Sequence, residues 1–127
     1  KACKKISGKI KLIGVTILTS LDNKSLKEIG FDKNIKKIVL LQAKLAAKAK
    51  LDAIVCSPKE IEIVKKVFKK EIITPGIRLI GDSKGDQKRV MTPKQAFKNG
   101  ATTLVMGRSL TKGNIKKNIQ KLIKELN

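Results

Sequence analysis

The feature that most constrains the fold is a pattern that occurs four times. A short apolar run rich in β-branched residues precedes a longer stretch with helical periodicity. The apolar runs are residues 10–18, 53–56, 71–74 and 102–106. Each reads as a strand, and the first, at 10–18, reads as buried on both faces. Between them, Ile35, Ile38, Val39, Leu41, Leu45 and Ala46 recur at helical spacing, with Lys on the opposite face. Ile61, Val64 and Phe68 mark a helix over 58–70. Ile115, Ile119, Leu122, Ile123 and Leu126 form an apolar stripe on a last helix over about 113–126. Ser57-Pro58 and Thr92-Pro93 are helix starts, a capping hydroxyl followed by Pro at the first helical position, and Asn99-Gly100 is a stop. A short helical piece after the polar turn Asp22-Asn23-Lys24 runs to Gly30.

Alternating βα units imply parallel strands joined by right-handed crossovers. The expected class is therefore α/β. Four such units make either a small open sheet or half of an eight-stranded (β/α)8 barrel, and 127 residues hold one domain of that size. The barrel half is favoured by where the polar motifs fall. Each follows the C-terminal end of a strand, and barrels commonly bind phosphate on the loops after their last two strands. Here those loops are 74–91 and 107–112. The first is the longest irregular segment and the richest in Gly, and loops of that length are usually functional.

The basic residues sharpen this reading. Lys and Arg number 30 and the formal net charge is +20, yet only Arg78, Arg89 and Arg108 are Arg. A chain this biased toward Lys keeps Arg where a planar fork must grip an oxyanion at two points. All three lie between residues 74 and 108, which points to an anion site, for a phosphate, on the last two strand-to-helix loops. The Lys residues spread over every helix face instead of gathering in a stripe. Aromatic residues are three Phe with no Trp or Tyr. Specific nucleic-acid binding by base stacking is therefore not expected, although non-specific attraction to polyanions at low salt is.

Other classes drop out. The chain contains no His, which removes His-based acid–base chemistry, Ser-His-Asp triads and His metal sites. Cys3 and Cys56 are far apart and lack metal-ligand spacing. Cys56 reads as a small buried core residue, and the compartment as the reducing cytoplasm. No apolar run has membrane-spanning length. The first residue is Lys1 and not Met, which reads as a truncated or cleaved product.

Five motifs in order then carry a resemblance. They are Val15-Thr16-Ile17-Leu18-Thr19-Ser20, Leu51-Asp52-Ala53-Ile54-Val55-Cys56-Ser57, Thr74-Pro75-Gly76-Ile77-Arg78, Gly85-Asp86-Gln87-Lys88-Arg89-Val90-Met91-Thr92-Pro93 and Val105-Met106-Gly107-Arg108-Ser109. The set, which extends over nearly the whole chain, closely resembles orotidine 5′-phosphate decarboxylase of the bacterial type. The resemblance implies a (β/α)8 barrel, usually dimeric, that converts orotidine monophosphate to UMP and CO2 without a cofactor. By matched motif, Thr19 would contact the pyrimidine and Arg78 would belong to the substrate-binding mouth. Gln87 would bridge base and phosphate, Gly107 would offer its backbone N–H to the phosphate, and Arg108 would pair with it. Plainer roles stand beside these: a strand end for Thr19, an ion pair with Asp82 or Asp86 for Arg78, a solvated loop residue for Gln87, a turn for Gly107 and surface charge for Arg108. Arg89 inherits no ligand role and reads as structural.

The chain also departs from the family. The resemblance implies a catalytic Asp-x-Lys-x-x-Asp motif, with a further Lys and Asp, from the first half of the barrel. The nearest local match, Asp22-Asn23-Lys24-Ser25-Leu26-Lys27, ends in Lys and lies in another loop. No catalytic residue is therefore assigned. The chain reads as the C-terminal half, supplying base and phosphate contacts and needing an N-terminal half-chain, or pairing as a homodimer. Two other readings remain: a relic or stand-alone half-barrel that binds nucleotide phosphate or a protein, and another enzyme of the phosphate-binding barrel group.

Overall fold

A computed structural model of the chain describes residues 10–83 and 85–127. Four parallel strands, β1 (Ile13–Val15), β2 (Ala53–Val55), β3 (Glu71–Thr74) and β4 (Thr103–Leu104), lie side by side in sequence order. Ile13, Ala53 and Glu71 share one register level, and Val15, Val55, Ile73 and Thr103 another. The helices are α1 (Asn23–Glu28), α2 (Ile35–Lys48), α3 (Ile61–Val67), α4 (Pro93–Asn99), α5 (Arg108–Thr111) and α6 (Ile115–Leu126). One turn of 3-10 helix, Pro58–Glu60, leads into α3.

The start signals work as their chemistry requires. Asp22, Asn34, Ser57, Thr92 and Asn114 each accept a hydrogen bond from a backbone N–H of the first turn they precede. Gly100 closes α4 in the left-handed region at φ 111°. The helices cover one face of the sheet, and the core lies between. Ile54, Cys56 and Ile72 from the strands pack with Ile38, Val39, Ala43, Ile61, Val64 and Phe68 from the helices.

Four expectations need correction. The 10–18 run forms only a three-residue strand, and Ile13 and Val15 are 50% and 61% exposed. They point to the sheet face opposite the helices, which no described element covers, so the run is not buried on both faces. On α2, Leu41 and Leu45 are exposed while Ala43 is buried. The inward stripe is 35, 38, 39, 43, 46, and residues 41 and 45 fall about a third of a turn from its centre. On α6 the predicted stripe exists, but Ile115, Ile119, Ile123 and Leu126 are exposed and no residue of that helix is buried. The α3 helix also stops at Val67 because Phe68 turns extended (φ −122°, ψ 116°) while keeping its ring in the core. Cys3 lies outside the described residues.

Candidate active site

The site is built at the C-terminal ends of the strands, where β-strand backbone gives way to loops. Thr19 follows β1, Ser57 follows β2, the 75–91 loop follows β3, and Gly107-Arg108 follows β4. The long loop is pinned at its base. Arg78 N donates to the Met91 carbonyl at 3.0 Å and Met91 N to the Gly76 carbonyl at 3.2 Å. Gly76 has φ +79°, and a Cβ there would stand 2.8 Å from the Arg89 carbonyl oxygen and 3.4 Å from Thr19 Cγ2. Only Gly permits that turn and that approach together.

Four consecutive side chains then tie the loop to four other parts of the molecule. Asp86 accepts a hydrogen bond from Arg108 at the start of α5. Gln87 Oε1 accepts from the Thr19 hydroxyl. Lys88 Nζ reaches Asp22 Oδ2 at 2.8 Å, the same carboxylate that caps α1 through Ser25 N. Arg89 donates to Glu60 Oε2 at 2.5 Å and to the carbonyls of Ile17 and Leu18 at 3.0 and 2.8 Å. Arg89 is 6% exposed and Glu60 3%. The Asp86–Arg108 and Asp22–Lys88 pairs are open to water and contribute little stability. The Arg89–Glu60 pair is buried, and losing either member would strand a charge.

This arrangement brings most of the predicted residues together. Gln87 Nε2 also donates to Asp86 Oδ2 at 3.1 Å. A continuous polar path therefore runs from buried Thr19 through Gln87 and Asp86 to Arg108, beside Gly107. At its Thr19 end is a hollow of about 200 Å³ lined by Val15, Leu18, Thr19, Cys56, Pro75 and Gln87. At its Arg108 end is a cleft of about 310 Å³ lined by Arg78, Asp82, Gly85, Arg108, Ser109 and Lys112 among others. Arg78 faces that cleft but spends a donor on its own Ile77 carbonyl at 2.8 Å, and no ion pair to Asp82 or Asp86 is formed. A Cβ at Gly107 would meet nothing within 4 Å, so the space over this backbone is open.

Electrostatics follows the contacts. The Asp86 carboxyl is held below the usual carboxylate range, chiefly by its hydrogen bond from Arg108. Asp22 is held well below that range by Lys88 first and then by the N–H and hydroxyl of Ser25. That carboxylate caps α1 and tethers the long loop through Lys88. Burial, and next the Glu60 charge, push the Cys56 thiol up to about 12, so it stays a neutral core group. No cluster of His, Cys, Asp or Glu among the described residues could hold a metal ion. No described helix is long and apolar enough to cross a membrane.

Sequence reasoning missed two residues. Glu60 had a local signal, since Ser57-Pro58-Lys59-Glu60 reads as a capping box, but that pattern places the acid at the surface. Asp86 had none: its partner Arg108 is 22 residues away, and the sequence suggested Arg78 for it.

Comparison with known proteins decides the lineage. Residues 1–121 match the family model described as Orotidine 5′-phosphate decarboxylase / HUMPS family. The chain belongs to this family. It is 51% identical over 102 residues to the orotidine 5′-phosphate decarboxylase of Coxiella burnetii (strain RSA 331 / Henzerling II), covering 79% of this chain and 43% of that protein. It is 48% identical over 117 residues to that of the Wolbachia of Brugia malayi (strain TRS), covering 91% and 52%. Among solved structures, orotidine 5′-phosphate decarboxylase from Lactobacillus acidophilus superposes with a TM-score of 0.70 at 30% identity, over 92% of this chain and 49% of that one. The chain spans about half the length of the relatives it matches, and its parallel α/β units correspond to half of their barrel.

Proposed function

We propose that this chain is the base- and phosphate-binding half of an orotidine 5′-phosphate decarboxylase, converting orotidine monophosphate to UMP and CO2 in the cytoplasm without a cofactor. The observation that carries the reading is the path from Thr19 through Gln87 to Arg108, which joins an apolar hollow to a cationic cleft. A pyrimidine fits the first and a phosphate the second. Thr19 would contact the base. Gln87, able to donate and accept at once, would bridge base and phosphate. The Gly107 N–H and the Arg108 fork would hold the phosphate, with Arg78 at the mouth.

Decarboxylation itself needs carboxylates crowding the substrate carboxylate and a Lys that stabilises and protonates the developing carbanion. The residues present here do not supply that set. The reading therefore calls for a protein partner that brings it, an N-terminal half-chain. A second copy of this chain would cover the open sheet face but add no catalytic group. The test is complementation. The purified chain, alone and mixed with the separately produced first half of a related decarboxylase, is assayed for loss of orotidine monophosphate absorbance. Turnover is expected only in the mixture. Turnover by the chain alone, or a folded complex without turnover, would overturn the proposal, and the second result would favour a non-catalytic half-barrel.

A further inference from the structure

Two donors assigned above to the ligand's phosphate already converge on an anion in this molecule. Asp86 Oδ1 accepts from Arg108 and Oδ2 accepts from Gln87 Nε2 at 3.1 Å. The carboxylate thus sits between one guanidinium and one amide, the same pair that would grip two phosphate oxygens. We propose that Asp86 is an internal competitor for the phosphate: it occupies Arg108 and Gln87 in the empty site and is displaced when a phosphate monoester enters. The inference rests on the phosphate reading of this cleft.

Three further observations support it. The side chains of Arg108 and Asp86 are 57% and 58% exposed, so an incoming anion can reach both and their pairing is cheap to break. Gly85, at φ +59°, lets the loop backbone lie against the guanidinium, since a Cβ there would be 3.0 Å from Arg108 NH1. Lastly, the Thr19–Gln87 bond uses the amide oxygen, whereas Asp86 uses the amide nitrogen. Gln87 can therefore exchange a carboxylate for a phosphate without letting go of Thr19. A phosphate monoester carries nearly twice the charge of a carboxylate near neutral pH and wins the exchange.

The test is calorimetric titration of UMP, uridine and inorganic phosphate into the chain and into the variants Asp86→Asn, Asp86→Glu and Asp82→Asn. Asp86→Asn is expected to tighten UMP and inorganic phosphate roughly two- to five-fold, the span an exposed ion pair represents, and to leave uridine unchanged. Asp86→Glu, which keeps the charge, should not tighten either. Asp82→Asn removes an equal charge from the wall of the same cleft and should have the smaller effect. Weaker UMP binding by Asp86→Asn would mean that Asp86 arranges Arg108 for the ligand, and would overturn the proposal. Equal tightening by Asp82→Asn would reduce it to a general field effect and overturn it too. If the unaltered chain separates UMP from uridine but Asp86→Asn binds UMP no tighter, only the competitor role fails. If neither the chain nor any variant separates them, the phosphate reading fails with it.

Discussion

Replacing Arg89 by Met should be the most damaging single change in the loop region. The substitution roughly conserves length but leaves the Glu60 carboxylate, 3% exposed, without its partner. Removing one member of a buried ion pair costs about 3–5 kcal/mol. The carbonyls of Ile17 and Leu18 lose their donor at the same time. If water fails to replace it, each adds about 1–3 kcal/mol. Against a total stability of about 5–15 kcal/mol for a domain, the loss is about a fifth or more. Arg89→Lys should recover only part, because a single ammonium cannot serve Glu60 and two carbonyls in one plane. Arg89→Met combined with Glu60→Leu should be far milder than the single change, since an apolar pair of similar volume leaves no stranded charge. With neither Trp nor Tyr present, urea unfolding is followed by far-ultraviolet circular dichroism, and the unaltered chain, Arg89→Met, Glu60→Leu and the double variant close a double-mutant cycle. A cost below about 1 kcal/mol for Arg89→Met, or strict additivity of the two changes, would refute the argument that this pair fastens the loop.

Gly76→Ala should destabilise by about 1–3 kcal/mol, from a positive φ together with a 2.8 Å approach to the Arg89 carbonyl, read by the same urea titration. Arg108→Ala in the completed enzyme should weaken UMP by about 1.5–3 kcal/mol and uridine hardly at all, with Arg108→Lys intermediate; equal losses for both ligands would make Arg108 structural. Cys56 titrates near 9.0 when unfolded and at about 12 when folded. A raised folded value favours the native state below pH 9.0, and that contribution is lost as pH rises toward 12, so the urea midpoint should fall across this window. Cys56→Ser, which carries no such ionisation, should flatten that part of the profile.

Much of the architecture was legible because it rests on local chemistry. Ser57-Pro58, Thr92-Pro93 and Asn99-Gly100 set helix ends through contacts two to four residues long, the run at 71–74 formed its strand as written, and the run at 53–56 did so but for Cys56. What failed was burial. Val15 and Ile123 look like core residues in sequence, but whether an apolar residue is covered depends on the next layer, which a periodicity does not contain. The site divided in the same way. Thr19, Gln87 and Arg108 stand in the motifs that proposed them, but their joining through Asp86 was not legible, because a contact across 22 residues leaves no local trace. Arg89 is a mixed case. Its guanidinium does meet an oxyanion, but that of the chain's own Glu60 and through one nitrogen only, while the other donates to the carbonyls of Ile17 and Leu18 and not to a second carboxylate oxygen.

The sheet face that no described element covers bears on how copies of this chain would meet. Ile13, Val15 and Val105 on that face and Ile115, Ile119 and Ile123 on α6 are all about half exposed. An apolar surface of that kind would ordinarily draw copies together. A formal charge of +20 opposes it, because two copies must bring like charge into contact before any apolar area is hidden. That opposition has the range of the Debye length, about 30 Å at 0.01 M salt and about 8 Å at 0.15 M. Ionic strength should therefore govern how readily copies of this stretch of chain associate: dilute buffer is expected to hold them apart, and physiological salt to weaken that opposition.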